Sequence, residues 1–290
     1  MIPSTAESKP GPSVRLVEVG PRDGLQNERA TIPTTVKVAF VDALSRTGLQ
    51  EIEVSSFVSP QWVPQLADAE EVFRRIQRRP GVVYSALVPN HQGLDRALQA
   101  EVDKIAVFTA ASETFARQNI NATIGESIAR FRSVIARANV PVRGYVSTAF
   151  RCPFEGSVAP TEVLAVVEAL LSIGCMEVSI GDTIGSATPA EVERLLEVLL
   201  RALPAEVLAM HFHDTHGQAV SNAAAAAALG VRIFDGSAGG LGGCPYAPGA
   251  PGNVATEALV RFFGSSTGVD LERLEEASGV IRSYLRTGGP

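Results

Sequence analysis

VLAMHFHD, residues 207–214, is a run in which apolar and polar side chains change places at every step. Side chains on a strand point alternately to its two faces. Leu208, Met210 and Phe212 therefore share one face, and Val207, Ala209, His211 and His213 share the other. A strand apolar on one side, with two histidines at the carboxyl end of the other, suits the wall of a closed barrel. There the outward side chains pack under helices and the inward ones end at an open mouth.

The rest of the chain repeats this unit. Strand candidates follow one another as VRLVEV (14–19), EIEVS (51–55), VVYSALV (82–88), KIAVF (104–108), VRGYVS (142–147), MEVSIG (176–181), VLAMHFH (207–213) and VRIFDGS (231–237). Helical patterns lie between and after them at 34–47, 65–78, 91–100, 123–139, 160–173, 189–202, 217–229 and 254–263. Start signals support several of these, among them Thr161-Glu162 after Pro160 and Thr188-Pro189 ahead of Glu191. Strand then helix, eight times over, predicts an α/β fold of the (β/α)8 TIM-barrel type, for which about 250 residues is usual. An amphipathic stretch from about Asp270 to Leu285 adds a C-terminal helix. A doubly wound open sheet fits less well, because GPRDG lacks the spacing of a dinucleotide-binding turn. The same alternation puts Ile52 and Val54 outside and Glu53 inside, Val142 and Val146 outside and Arg143 inside, and Val17 and Val19 outside with Glu18 inside. Glu18 and Arg143, low in the barrel, need buried partners and are expected to find each other.

Composition narrows the setting. The chain has 290 residues, 46% of them hydrophobic, and a formal net charge of −6. That charge argues against nucleic acid or an anionic membrane as the main partner, but leaves room for an anionic small molecule held by a local basic patch. Three widely spaced cysteines form neither a disulfide framework nor a paired redox motif, which suits a reducing cytoplasm. Residues 1–13 lack the order of a signal peptide and are expected to form a disordered tail, leaving 14–290 as one catalytic domain. No apolar run is long enough to cross a bilayer.

Four motifs carry chemistry. Histidines at i and i+2 on one strand face can reach a single cation, although two buried imidazoles also occur as a hydrogen-bonded core pair. GPRDGLQNE (20–28) leaves the first strand; Asp23-Gly24 is a good turn pivot, and Asp23 is equally placed as a carboxylate ligand with Arg22 as a fixed cation beside it. One oxygen donor joined to two imidazoles makes a mixed site suited to an octahedral divalent ion with open positions for a chelating substrate. GDTIG (181–185) puts Asp182 just past the sixth strand, as a turn residue or an acid–base group, and Glu53 offers a further carboxylate near the mouth. GLGGCPYAPGAPGN (240–253) cannot be helix or strand, yet centres on a thiol, Cys244. Its glycines give backbone freedom while Pro245, Pro248 and Pro251 restrict it, as in a lid that closes over substrate. Asn253 opens the next helical pattern, where it would serve as an N-cap. Cys152, Cys175 and Trp62 are expected to be packing residues.

VEVGPRDGLQNE, SSFVSPQWVPQLAD, RGYVSTAFRCPFEG, SIGDTIG, HFHDTHGQA and GLGGCPYAPGAPGNVATE occur in this order from Val14 to Glu257. In both content and order they resemble the 3-hydroxy-3-methylglutaryl-CoA lyases. RDG with HxH alone would mark only the wider metal-dependent barrel superfamily; RDGLQ, VSPQWVPQ and the cysteine loop are specific to the lyases. His216 and QLADAEE depart from the pattern, which bears on acyl preference and not on the ligand set.

The resemblance implies a divalent cation, Mg2+ or Mn2+, surrounded by Asp23, His211, His213 and Asn253. It implies Arg22 at the thioester oxygen, and Glu53, Asp182 and His211 in an acid–base network. It makes Cys244 the mobile thiol that protonates an enolate carbon, and brings Arg29 to the phosphates of coenzyme A. The reaction implied is metal-assisted retro-Claisen cleavage of the acyl-CoA to acetyl-CoA and acetoacetate by a cytoplasmic homodimer. The alternatives are a lyase for a related 3-hydroxyacyl-CoA, a condensing synthase of the same superfamily, and, least favoured, a non-enzymatic acyl-CoA-binding barrel.

Overall fold

The computed structural model describes residues 14–28, 30–243 and 252–287. Arg29 and Cys244, both candidate site residues, lie outside them. Eight parallel strands close on themselves: β1 (Arg15–Glu18), β2 (Glu51–Ser56), β3 (Val83–Leu87), β4 (Lys104–Ala110), β5 (Val142–Ser147), β6 (Glu177–Asp182), β7 (Leu208–Phe212) and β8 (Ile233–Gly236). Each pairs with its sequence neighbour, and β8 returns to β1 through Arg15↔Ile233 and Val17↔Asp235. This is the (β/α)8 barrel that the strand alternation predicts.

Helices α1 (Thr34–Leu44), α2 (Ala69–Arg75) and α3 (His91–Gln99) follow the first three strands. Two helices, α4 (Glu113–Ile120) and α5 (Ile124–Ile135), follow β4; then come α6 (Pro160–Ser172), α7 (Pro189–Leu199), α8 (Ala219–Ala228), α9 (Thr256–Phe263) and α10 (Leu271–Thr287). Helix α4 was not anticipated, although its start is marked: the Ser112 hydroxyl accepts the Phe115 N–H at 3.1 Å. Thr188 caps α7 as expected, closing a reciprocal box with Glu191. Helix α6 starts at Pro160, where the helical pattern begins, with the Glu162 carboxylate accepting the Ala159 N–H. The C-terminal helix α10 docks through buried Leu274, Ala277 and Ile281, and the Tyr284 hydroxyl donates to the Thr31 carbonyl at 3.0 Å. Among the described residues, no helix is long and apolar enough to cross a membrane.

The alternation in β7 holds. Leu208, Met210 and Phe212 are buried in the apolar layer that also contains Leu195, Leu199 and Ala223. Each such fully buried side chain is worth roughly 1.5–3 kcal/mol relative to exposure. Ala209 faces inward with Val17, Val19 and Ile233. Inside, the closed end of the barrel is ionic: Arg15 and Lys104 alternate with Glu51 and Glu177. Lys104 Nζ lies 3.0 Å from Glu51 and 2.7 Å from Glu177, and Arg15 pairs with both carboxylates.

The reading of β1 has to be reversed. Register puts Val17 beside Glu51 and Asp235, so Arg15, Val17 and Val19 line the interior and Glu18 points out behind the wall. Glu18 does not meet Arg143. Its Oε1 accepts the N–H groups of Gly20 and Ala238, both at 2.8 Å, and its Oε2 accepts the Thr256 hydroxyl at 2.6 Å. These partners satisfy a fully buried carboxyl, which burial pushes up to about 8 in pKa against the three hydrogen bonds. Arg143 pairs instead with Asp235, at 2.5 Å.

Candidate active site

The turn after β1 is a single π-helical turn, Gly20–Gly24, in which the Val19 carbonyl receives the N–H groups of Arg22, Asp23 and Gly24. Such turns are rare and concentrate at functional sites. Glycine is required at both ends by close approach. A Cβ on Gly20 would lie 2.5 Å from Glu18 Oε1, and one on Gly24 would lie 2.9 Å from Leu241 Cβ. The turn thus seats Arg22 and Asp23 over the carboxyl end of the barrel, where β7 delivers His211 and, just beyond it, His213.

Ligand-type atoms of Asp23, His211 and His213 all lie within 4.8 Å of one another. The imidazole centroids are 5.3 Å apart and their planes tilted by 51°, so the rings converge without stacking. Asn253 completes the cluster from the far end of the cysteine loop: it forms a bridge with His213, and its Nδ2 donates to Asp23 Oδ2 at 2.8 Å. It is not an N-cap, since α9 begins at Thr256 with Ala255 in the cap position. Two buried polar atoms in this cluster, Asn253 Oδ1 and His213 Nδ1, have no hydrogen-bond partner among the described residues. Buried atoms of that kind are uncommon and suit a ligand that supplies the missing partner. The donor set therefore fits a hard divalent cation.

Electrostatics point the same way. Burial opposes ionisation of Asp23, but Arg22, the two histidines and the Asn253 amide outweigh it and lower its pKa. Burial, reinforced by the neighbouring His211, brings His213 down to about 4, leaving a neutral ring with a free lone pair. His211 is different: burial would lower it, yet the Asp235 carboxylate, 3.2 Å from Nδ1, holds it above the usual histidine value.

Beside this cluster Arg22 is fixed on three sides. Its Nε and Nη2 donate to Glu53 Oε2 at 2.9 and 2.8 Å, and its Nη1 donates to Asp23 Oδ1 at 2.6 Å. The guanidinium lies 5.4 Å from the Tyr145 ring centre, and the Tyr145 hydroxyl donates to the same Glu53 oxygen at 3.0 Å. Burial raises Glu53 despite these neighbours. Arg22, Asp23, Tyr145, His211 and His213 all line a cavity of about 890 Å³ at the mouth; Glu53 sits behind its wall. Asp182 is likewise set back, its two oxygens accepting the Ser186 and Ala187 N–H groups at 3.1 and 3.0 Å. Burial lifts its carboxyl to about 6, partly offset by those N–H groups.

The structure therefore gathers Arg22, Asp23, Glu53, His211, His213 and Asn253, with Asp182 in a supporting turn. It adds Tyr145 and Asp235, which the sequence reading did not single out, although both share the inward parity of residues it did. Trp62 is corrected: 79% exposed, it lines the cavity and packs no loop. Cys152 is buried against the Ser112 hydroxyl at 3.0 Å, and burial pushes the Cys175 thiol up to about 12, as packing residues require.

A family profile described as HMGL-like matches residues 13–281. The chain belongs to the HMGL-like family. Within it, the cytoplasmic 3-hydroxy-3-methylglutaryl-CoA lyase of Rattus norvegicus is 52% identical over 274 residues, spanning 92% of this chain and 80% of that protein. The crystal structure of the HMG-CoA lyase from Brucella melitensis superposes with a TM-score of 0.92 at 49% identity, covering 95% of this chain and 99% of that one. A lyase from Acinetobacter baumannii, solved with coenzyme A and 3-methylmalate, gives 0.90 at 37% identity over 97% and 93% of the two chains. The HMGL-like match runs through every strand of the barrel and all the described site residues.

Proposed function

We propose that the chain cleaves 3-hydroxy-3-methylglutaryl-CoA to acetyl-CoA and acetoacetate. The observation that carries this reading is the convergence of Asp23, His211 and His213 beside Arg22, on the floor of a cavity, in a member of the HMGL-like family. Asp23, His211, His213 and Asn253 Oδ1 would hold Mg2+ or Mn2+, which supplies Lewis-acid polarisation of the substrate's hydroxyl and carboxylate oxygens.

The residues divide the remaining work. The proton of the tertiary hydroxyl passes to the carboxylate network of Glu53 and Asp182, next to the cation ligand His211. His211 is at the cavity surface, and Asp182 is close enough behind it to feel its charge. The hydroxyl oxygen's electrons then form the ketone of acetoacetate, and the breaking C–C bond leaves its pair on the acetyl-CoA enolate. Arg22, held rigid by Glu53 and Asp23, faces the thioester oxygen where that charge gathers. A pre-oriented cation of this kind stabilises the transition state more than the ground state. Cys244 Sγ–H donates the proton that completes the methyl group of acetyl-CoA, and the proton held by the network restores the thiol.

Coenzyme A enters along the cavity. Arg29 lies outside the described residues; among the described ones, the arginines that line the cavity besides Arg22 are Arg117 and Arg130, on α4 and α5, and we assign the phosphates to that side. The reading extends to a cytoplasmic homodimer, as the family resemblance implies; sedimentation of the purified protein checks the assembly.

Incubation of the protein with 3-hydroxy-3-methylglutaryl-CoA and Mg2+, followed by mass spectrometry, tests the reaction. Acetyl-CoA and acetoacetate in equal amounts are expected. Folded, metal-loaded protein that leaves the substrate intact refutes it; product from acetyl-CoA and a 2-oxo acid would then favour the condensing synthase.

A further inference from the structure

We propose that Asp235 is a positioning residue that fixes the tautomer of His211, keeping the proton on Nδ1 and presenting Nε2 to the cation site. The spacing of His211 and His213 on one strand face does not decide which nitrogen of His211 is available.

Asp235 lies inside the barrel on β8, in register with His211 on β7, and is 1% exposed. Every contact on its carboxylate comes from a donor. Arg143 Nη2 donates to Oδ1 at 2.5 Å, the Ser179 hydroxyl donates to Oδ2 at 2.7 Å, and His211 Nδ1 is 3.2 Å from the same Oδ2. An ionised carboxylate only accepts hydrogen bonds, so Nδ1 must carry the hydrogen. In the neutral ring the lone pair is then on Nε2 alone. His211 thus cannot ligate through Nδ1, and its ring plane is set by a strand-to-strand hydrogen bond inside the barrel.

The carboxylate is kept ionised from the closed end of the barrel. The Arg143 guanidinium lies 2.5 Å from Oδ1 and the Ser179 hydroxyl 2.7 Å from Oδ2, a cation and a donor that both favour the ionised form. Arg143 is itself buried, with the Tyr145 ring centre at 5.0 Å and Glu177 at 3.6 Å. Glu177 in turn belongs to the ionic ring with Lys104 and Arg15. A chain of fixed charges therefore runs up the interior and ends on His211. His213 has no such anchor: its Nδ1 is unpartnered among the described residues. Ligating histidines are commonly oriented in this way, and loss of the orienting group costs roughly 10–100-fold in metal affinity. The histidines are therefore not equivalent, one being preset and the other free to choose its nitrogen.

This role rests on the cation reading above, whereas the tautomer can be tested without any metal. The four histidines of the chain allow ring-nitrogen NMR on 15N-histidine protein, freed of metal and held at a pH where His211 is neutral. The wild type is expected to show His211 protonated on Nδ1 and bare on Nε2. In Asp235→Asn the side-chain oxygen keeps Arg143, and the amide now donates toward His211. The ring should switch to the Nε2–H form, and the Kd for Mn2+, followed by electron paramagnetic resonance, should rise roughly 10–100-fold. Thermal melting checks that the variant is folded. A folded Asp235→Asn that keeps the wild-type tautomer or the wild-type Mn2+ affinity overturns the proposal. If that variant does not fold, the wild-type spectrum decides alone, an Nε2–H ring being the refuting result. Wild-type protein that binds no Mn2+ but shows the Nδ1–H ring would refute the cation reading and leave the placement of the proton standing.

Discussion

Replacing Glu18 by glutamine should flatten part of the protein's pH–stability profile. The Glu18 carboxyl is fully buried behind β1 and rises from an ordinary 4.5 to about 8, because burial outweighs the hydrogen bonds from Thr256, Ala238 and Gly20. A folded-state pKa above the unfolded one means that the native protein holds this proton more tightly. The resulting stabilisation is complete below pH 4.5 and is lost as the pH climbs through 8. At about 1.4 kcal/mol for each pH unit between those values, the loss reaches roughly 5 kcal/mol, an upper bound for one group. Glutamine mimics the protonated acid: its oxygen accepts from Gly20 and Ala238, and its amide donates to Thr256. Urea unfolding of both proteins from pH 5 to 8.5, with EDTA present to remove cation linkage, isolates this one group by difference. Near pH 5 the two should be about equally stable, and toward pH 8.5 the glutamine variant should gain by several kcal/mol. A difference that stays flat, or that swings toward the wild type at high pH, would show that Glu18 is ionised in the native state and refute the reasoning.

Three further substitutions probe other layers. His213→Ala removes one of the three clustered donors and should abolish metal-dependent turnover together with tight Mn2+ binding; calorimetry showing unchanged affinity would take it out of the ligand set. Cys244→Ala should leave Mn2+ binding intact and slow turnover by roughly 10²–10⁴-fold, the usual effect of a lost acid–base group, whereas near-normal turnover would make the thiol a bystander. Lys104→Met takes one cation from the ring at the closed end and leaves Glu51 and Glu177 short of charge. It should lower unfolding stability by about 3–5 kcal/mol in urea, and an unchanged midpoint would count against the ring as a coupled unit.

The barrel and the centre of the site were legible because their signals are local. Alternation within β7 alone separates Met210 from His211, and the same rule places Glu53 and Arg143 inside. The rule failed on β1, where Arg15, Val17 and Glu18 offer no clean apolar face and the deciding partners of Glu18 are 220 and 238 residues away in sequence. Asp235 and Tyr145 follow the inward parity of their strands, but only the spatial approach of β8 to β7 and of β5 to β2 shows what they touch. Asn253 was drawn toward a capping role by its position before a helix. The chain spends two more residues before α9 begins, and in that space the side chain turns to Asp23. Trp62 misled for a different reason. Nothing in the local sequence tells whether the loop lays its indole on the core or leaves it exposed at the cavity.

The most direct test strips the protein with chelator, confirms by circular dichroism that it is still folded, and adds back Mn2+ while acetoacetate release from 3-hydroxy-3-methylglutaryl-CoA is followed. Cleavage should be absent in the stripped protein and should rise until one Mn2+ is bound per chain. Full cleavage without a cation, or none from folded protein carrying one, would contradict the reading of Asp23, His211, His213 and Asn253 as the centre of the reaction.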